Sequence, residues 1–187
     1  MNVLRESPDG ISLEGARIQL RPFAPVSLLA LINGDDTFAD RFGAPAADGL
    51  RDFFVSGDVS PAWMEQLRNA TDFDPWLHGF AIVDRTSNVL IGTAGFKGAP
   101  DGNGIAEIAY GVVALFEGKG YATEAAGMLV EFANNDPRVR IVRAHTLPEN
   151  NASTRVLRKN GFVFVGEVVD PDDGPVWRWE RTKELCA

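Results

Sequence analysis

The stretch AEIAYGVVALFEGKGYATEA, residues 106–125, decides how this chain folds. Its first half is apolar and carries the branched and aromatic residues that favour a strand. The loop Gly118–Lys119–Gly120 follows, and good helix formers begin at Tyr121. Such a loop can bind phosphate, because glycines allow close backbone approach and the first helical amides have no partners. An ordinary strand-to-helix turn uses the same residues and remains the alternative.

Two common phosphate loops do not match this stretch. A P-loop requires Ser or Thr after its Gly-Lys pair, whereas Gly120 follows Lys119. A dinucleotide-binding loop requires a third glycine where Thr123 stands, and an acidic residue after the helix, where the sequence DPRVRIV (136–142) is basic. The pattern therefore favours a third class of phosphate site.

Composition limits the classes of function. The chain has 187 residues, of which 45% are hydrophobic, and this is enough for one core. The sequence predicts a loose lead-in over residues 1–14 and a single domain over residues 15–187. The net charge of -8, from 18 Lys and Arg against 26 Asp and Glu, disfavours nucleic acid and anionic membranes as partners.

The few cysteines and histidines argue against disulfides and metal sites. Cys186 is the single cysteine, which fits a reducing cytoplasm. His78, expected in a loop, and His145 lack a carboxylate cluster at ligand spacing, so no metal is expected. The N-terminus lacks the apolar segment of a signal peptide, and no apolar run approaches the roughly 20 residues of a membrane helix. We therefore expect a cytoplasmic protein without a membrane partner.

Periodicity predicts seven strands and four main helices in a mixed α/β arrangement. The order is strand, two helices, three strands, helix, strand, helix and two strands, so the chain does not alternate regularly. The predicted strands are residues 16–23, 79–84, 89–96, 104–113, 140–146, 162–169 and 175–181, and the predicted helices are residues 26–33, 60–70, 121–134 and 153–160.

From Gly92 to Phe162 the sequence resembles the GNAT-family N-acetyltransferases, in particular the branch that includes ribosomal-protein N-terminal acetyltransferases. The matching motifs are IGTAGF, AEIAYGV, EGKGYATEA and NNASTRVLRKNGF. The resemblance implies an α/β (α+β) GNAT fold, with a mixed, mostly antiparallel sheet of about six to seven strands. It also implies acetyl-CoA as co-substrate and an amine acceptor, with the protein a monomer or homodimer.

The resemblance also implies where acetyl-CoA binds. The family loop pattern Q/R-x-x-G-x-G/A falls on Glu117 to Ala122 and takes the pyrophosphate, while the strand before it pairs with the pantetheine arm. Glu117 stands where the family has Gln or Arg and predicts weaker binding. The implied cofactor-binding residues are Val112, Val113, Glu117, Gly118, Lys119, Gly120, Tyr121, Ala122, Thr123, Asn151, Ser153 and Arg158, with Arg155 as a further candidate.

Catalysis requires a base for the amine, an oxyanion donor and an acid for the leaving thiolate. Glu107 is a charged residue within an apolar strand and matches the glutamate that related enzymes use as base through water; a purely structural hydrogen bond is the alternative. The amide of Val113 or its neighbour is the expected oxyanion donor. Leu157 stands where many family members have a tyrosine that acts as the general acid, so Ser153 is the predicted acid. His145 is a second candidate base, although a lone strand histidine is more often structural.

The acceptor is not determined by the sequence. Aromatic residues in the helical region (Phe53, Phe54, Trp63 and Trp76) and in the last hairpin (Trp177 and Trp179) lie where this fold selects its substrate. Most are expected to belong to the core, because large aromatics dominate small cores. A non-catalytic acyl-CoA-binding or sensing domain of the same fold is the alternative function.

Overall fold

A computed structural model describes residues 3–7, 10–55, 60–171 and 173–183. The strands are β1 (Val3–Ser7), β2 (Gly10–Glu14), β3 (Ile18–Pro22), β4 (Phe80–Asp84), β5 (Val89–Phe96), β6 (Ile105–Val112), β7 (Ile141–Thr146), β8 (Val163–Asp170) and β9 (Gly174–Thr182). The helices are α1 (Pro25–Asn33), α2 (Phe38–Phe42), α3 (Asp52–Val55), α4 (Pro61–Asn69), α5 (Tyr121–Asn135) and α6 (Ala152–Lys159). The predicted mixed α/β arrangement is confirmed.

One mixed sheet contains all of these strands. Its order is β1-β2-β3-β4-β5-β6-β7-β9-β8, and every neighbouring pair is antiparallel except β6 and β7. The parallel pairing is short, because it joins only Ile105–Glu107 to Ile141–Arg143. Beyond Glu107 the two strands separate, although β6 continues to Val112. The separation leaves a gap in the middle of the sheet.

Residues Val3–Ser7 and Gly10–Glu14 form paired strands, within the range 1–14 for which the sequence predicted a loose lead-in. β1 and β2 pair antiparallel, and β2 continues onto β3 through the pair Leu13 and Leu20. Leu13 is only 3% exposed. Five-residue strands carry little periodicity, and these depend on pairing with β3, which the local sequence does not reveal. The sheet therefore has two strands more than predicted, and the short helices α2 and α3 are also additional.

Two apolar layers cover the sheet. Phe80 and Ile82 on one face of β4 pack with α5 and α6, while Ala81 and Val83 on the other face pack with α1 and α4. β4 is therefore buried throughout. Residues of β6 and of the first half of α5 belong to the same apolar cluster. None of the described helices is long and apolar enough to cross a bilayer.

Candidate active site

The gap between β6 and β7 leaves backbone polar groups of β6 without a strand partner. The amide of Val113 donates to Ile91 O at 2.9 Å, and the Glu107 carbonyl accepts from Lys97 N at 2.9 Å, so odd-numbered residues of β6 bond to β5. Because antiparallel bonding alternates, Tyr110 and Val112 direct their N–H and C=O groups toward the gap. Of the amides expected as oxyanion donor, that of Val113 is occupied, which leaves the amide of its neighbour Val112 as the candidate.

The glycine loop presents free amides at the start of α5. Gly118 and Gly120 have φ values of 71° and 84°, the left-handed conformation that glycine adopts without strain. No side chain caps the helix at Gly120, and the first helical bond runs from Glu124 N to Gly120 O. The amides of residues 121–123 therefore lack a helical acceptor, and the helix dipole adds positive potential there. This geometry favours an anion, as the sequence indicated.

Arg17, near the N-terminus, forms hydrogen bonds with this loop. Its guanidinium donates to the carbonyls of Lys119 at 2.5 Å and Gly120 at 3.1 Å, and to the Glu124 carboxylate at 3.0 Å. Glu124 also accepts from the Arg17 backbone N–H at 2.8 Å. Sequence reasoning missed Arg17, because 100 or more residues separate it from the loop and no local pattern marks the contact.

A cavity of about 930 Å³ opens along this loop; we call it the loop cavity. Most predicted cofactor-binding residues line it, on three elements: the end of β6, the glycine loop with the first turn of α5, and the start of α6. Cationic side chains of Arg155 and Lys159 also line it. The predicted residues in its wall are Val112, Glu117, Gly118, Gly120, Tyr121, Ala122, Thr123 and Ser153.

Four other predicted residues lie elsewhere. Val113 is buried under the α1–α4 layer. The Lys119 ammonium donates to Leu115 O at 3.0 Å, and Asn151 caps α6 by accepting from Thr154 N at 3.0 Å. Arg158 donates to Asn150 Oδ1 at 2.9 Å and stacks over Trp179, so it does not reach the loop cavity. Arg155, one turn earlier on the exposed side of α6, occupies the place expected for Arg158.

A second cavity of about 330 Å³ contains a carboxylate and an imidazole; we call it the carboxylate cavity. Glu107 Oε1 lies 3.0 Å from both Lys97 Nζ and His145 Nδ1. A carboxylate only accepts, so the His145 proton lies on Nδ1 and the neutral ring has its acceptor at Nε2. That Nε2 is buried without a partner in the described part of the chain. Burial acts to lower the pKa of Lys97, but the hydrogen bond and charge of Glu107 outweigh it and raise that pKa.

Tyr110 and Ser153 stand where the two cavities meet. Both residues line the loop cavity and the carboxylate cavity, and the Tyr110 hydroxyl lies 3.5 Å from the Ser153 carbonyl. Burial raises the pKa of Tyr110, so the phenol stays protonated at ordinary pH. Leu157 is fully buried in the core and offers no proton. Tyr110 belongs to a motif of the sequence analysis but received no functional role there. Its position between the two cavities follows from the gap between β6 and β7.

Phe53, Phe54 and Trp63 line a third cavity of about 650 Å³, which we call the aromatic cavity. The Phe54 and Trp63 rings stack at 6.4 Å between centroids. Trp76, Trp177 and Trp179 instead join the core cluster under α5. Phe54 and Trp63 also pack against the core layer under α1 and α4, whereas Phe53 is exposed. The expectation that most of these aromatics belong to the core is therefore confirmed.

Comparisons with known proteins agree with the observed fold. Residues 17–163 match the acetyltransferase (GNAT) domain. The uncharacterized N-acetyltransferase YjdG of Bacillus subtilis is 34% identical over 116 residues, and the match spans 60% of this chain but only 65% of that protein. A GNAT-family acetyltransferase structure from Bacillus anthracis has a TM-score of 0.62 at 19% identity, covering 93% of this chain and 99% of that one.

A third comparison concerns a solved complex. The structure of RimL, a ribosomal L7/L12 alpha-N-protein acetyltransferase in complex with coenzyme A, has a TM-score of 0.59 at 18% identity, covering 90% of this chain and 95% of that chain. At these identities the two structural likenesses show the fold alone. No group of three or more metal-binding side chains occurs within the described ranges.

Proposed function

The chain belongs to the acetyltransferase (GNAT) domain family, and on that premise we propose that it transfers an acetyl group from acetyl-CoA to a primary amine. The observation that carries the proposal is the meeting of two cavities at Tyr110 and Ser153. One cavity has an anion-binding loop, and the other has the Glu107–His145 pair. An acyl donor and an amine that enter from opposite sides would meet there, so direct transfer needs no covalent enzyme intermediate.

The loop cavity fits acetyl-CoA. The amides of residues 121–123 suit its pyrophosphate, and Arg155 and Lys159 add positive charge in the same wall. The backbone of Val112 and Tyr110 offers strand-like hydrogen bonds to its pantetheine amides. Bound in this way, acetyl-CoA supplies the activated acetyl thioester. The coenzyme A complex of RimL, which shares the fold, supports this assignment.

The Glu107–His145 pair is proposed to take the proton of the attacking amine. Since Nδ1 donates to Glu107, the unpartnered Nε2 of His145 can accept a proton, and the carboxylate stabilises the resulting imidazolium. Lys97 holds Glu107 at 3.0 Å and fixes the carboxylate in place.

Ser153 is proposed to donate a proton to the leaving sulfur. A thiol with an ordinary pKa of about 8.5 leaves as thiolate with little help, so the acid contributes modestly. We expect Ser153→Ala to lower kcat about tenfold, the effect of losing one hydrogen bond, and to weaken acetyl-CoA binding modestly because Ser153 also lines the loop cavity. Steady-state kinetics and calorimetry measure the two quantities. Tyr110→Phe, which removes the other hydroxyl at this junction, is the comparison; a larger loss in that variant would transfer the role to Tyr110.

The test of the function is consumption of acetyl-CoA across a panel of small primary amines and N-terminal peptides. The panel includes peptides with ribosomal-protein N-termini, because the RimL-type neighbours act on such proteins. Turnover of any amine supports the proposal. Tight binding of acetyl-CoA without turnover of any acceptor would instead support an acyl-CoA-sensing domain. We also place the protein in the cytoplasm, where a single cysteine remains reduced.

A further inference from the structure

His78 is a buried histidine that the proposed reaction does not use. It is 6% exposed and lines the aromatic cavity, rather than lying in a solvated loop. A tight turn positions it: the His78 N–H donates to Asp74 O at 2.8 Å, and the Trp76 N–H donates to the Asp74 carboxylate at 2.8 Å. Trp63 braces the same turn by donating to Leu77 O at 3.0 Å.

The hydrogen bonds of this turn determine which nitrogen of His78 carries the proton. The Asp74 N–H donates to His78 Nδ1 at 2.9 Å, so Nδ1 is the acceptor and the neutral ring is protonated on Nε2. Burial lowers the pKa of His78, and although the charge of Asp74 acts in the opposite direction, the ring stays neutral at ordinary pH. Nε2 is buried without a hydrogen-bond partner among the residues described. A buried N–H donor without an acceptor is costly, so it points to a missing partner.

The aromatic cavity is the place from which that partner can come. Its described wall carries no charged side chain, and Phe53, Phe54 and Trp63 form one side of it. Gly111 lets the cavity close over β6, because a Cβ there would lie 3.1 Å from the Phe53 ring. A volume of about 650 Å³ lies in the range of pockets that bind small molecules, so it has room for an aromatic substituent.

The aromatic cavity also adjoins the proposed transfer point. It shares Ala109 and Tyr110 with the carboxylate cavity, and Tyr110 and Gly111 with the loop cavity. An amine held beside Glu107 and His145 can therefore extend its substituent past Tyr110 into the aromatic cavity. Because the described lining is uncharged, a charged substituent would lose its hydration without compensation.

We propose that the acceptor is an amine with an uncharged aromatic substituent that carries a hydrogen-bond acceptor, and that the Nε2–H of His78 recognises that acceptor. This inference rests on the proposed acetyl transfer and specifies its substrate class. His78 acts as a specificity-determining residue: it selects the substrate and takes no part in proton transfer at the amine. Aromatic stacking supplies most of the affinity, and the hydrogen bond supplies the discrimination.

Matched amines test the inference on the unchanged protein. The probes are para-methoxyphenyl-alkylamines with one to three methylenes before the amine, each paired with its para-ethyl analogue of nearly equal size. The ether oxygen accepts a hydrogen bond and the ethyl group does not. We expect the methoxy member of the best pair to have a kcat/KM about 5- to 100-fold higher, and calorimetry to show the same preference in Kd. Equal values for every pair would overturn the inference.

The variant His78→Phe keeps an aromatic ring and removes the donor. We expect the methoxy preference to disappear in that variant, while the dissociation constant for acetyl-CoA stays unchanged. A preference that survives in the folded variant would contradict the role of His78. If the methoxy amines bind preferentially but are not acetylated, the recognition site stands and the proposed acetyl transfer is wrong. If amines without a ring or with a charged substituent are acetylated best, the transfer stands and this inference is wrong.

Discussion

Replacing Glu107 with Gln is expected to lower kcat by about 10²–10⁴, the usual range for loss of general base catalysis. Gln keeps the size of the side chain and an oxygen that accepts from His145, but it cannot carry the negative charge that stabilises a protonated imidazole. Steady-state turnover at saturating acetyl-CoA measures the loss. The dissociation constant for acetyl-CoA should remain nearly constant, because Glu107 lines the carboxylate cavity and not the loop cavity.

The pH dependence of this variant separates catalysis from structure. The rate loss should shrink as pH rises, because more of the amine then arrives without its proton. Glu180→Gln is the matched control: Glu180 also accepts from a cation, Arg143, at 2.7 Å, is 21% exposed against 20% for Glu107, and lies outside the carboxylate cavity. Both variants should lose similar stability, since the two carboxylates are almost equally exposed and each is bonded to a cation. Near-normal turnover in Glu107→Gln would show that the carboxylate has a structural role and not a catalytic one.

Gly120→Val is expected to weaken acetyl-CoA binding about 10- to 100-fold, the effect of losing one or two hydrogen bonds to a charged group. Gly120 has φ +84°, and a Cβ there would lie 3.0 Å from the Arg17 guanidinium. The valine therefore disturbs both the loop and the arginine that holds its carbonyls. Isothermal calorimetry with acetyl-CoA, and separately with coenzyme A, gives the affinity.

Gly43→Val provides the control for backbone strain. Gly43 has φ +77° and nothing within 4 Å of its Cβ position, and it lies at the end of α2, outside the loop cavity. Both variants place a branched residue in the left-handed conformation, which costs roughly 1–2 kcal/mol, so both melting temperatures should fall, that of Gly120→Val by at least as much because it also disturbs Arg17. Only the loop variant should lose affinity. Unchanged acetyl-CoA affinity in a folded Gly120→Val protein would end the phosphate assignment of this loop.

Local sequence patterns were sufficient for most of the fold. The seven predicted strands and the four main helices all occur, and α5 begins at Tyr121 as expected. These elements have strong periodicity or clear end signals, such as Gly161, which has φ 76° after α6. The N-terminal hairpin was missed, because β1 and β2 are short and depend on β3 for their pairing.

Some residues of the candidate site were likewise predictable from the sequence and others were not. The glycine loop and Glu107 were recognisable from the sequence, since a loop between a strand and a helix, and a charge inside an apolar strand, are local features. The backbone amides that face the gap were not recognisable from the sequence. Their identity depends on the register of β6 against β5 and on the point where β7 separates from β6. The sequence therefore left the oxyanion donor open between Val113 and its neighbour, and the bond of the Val113 amide to Ile91 leaves only the neighbour.

The sequence by itself determined the order of elements and the loop that marks this family, because backbone propensity and side-chain periodicity act over a few residues. Only the tertiary structure decided the partners. Arg17 with the loop, Glu107 with His145, and His78 with its aromatic cavity are set by packing. Arg17 lies 102 residues from Lys119 and Glu107 lies 38 residues from His145. No local pattern encodes such pairs, since they arise only when the sheet brings distant strands and loops to one place.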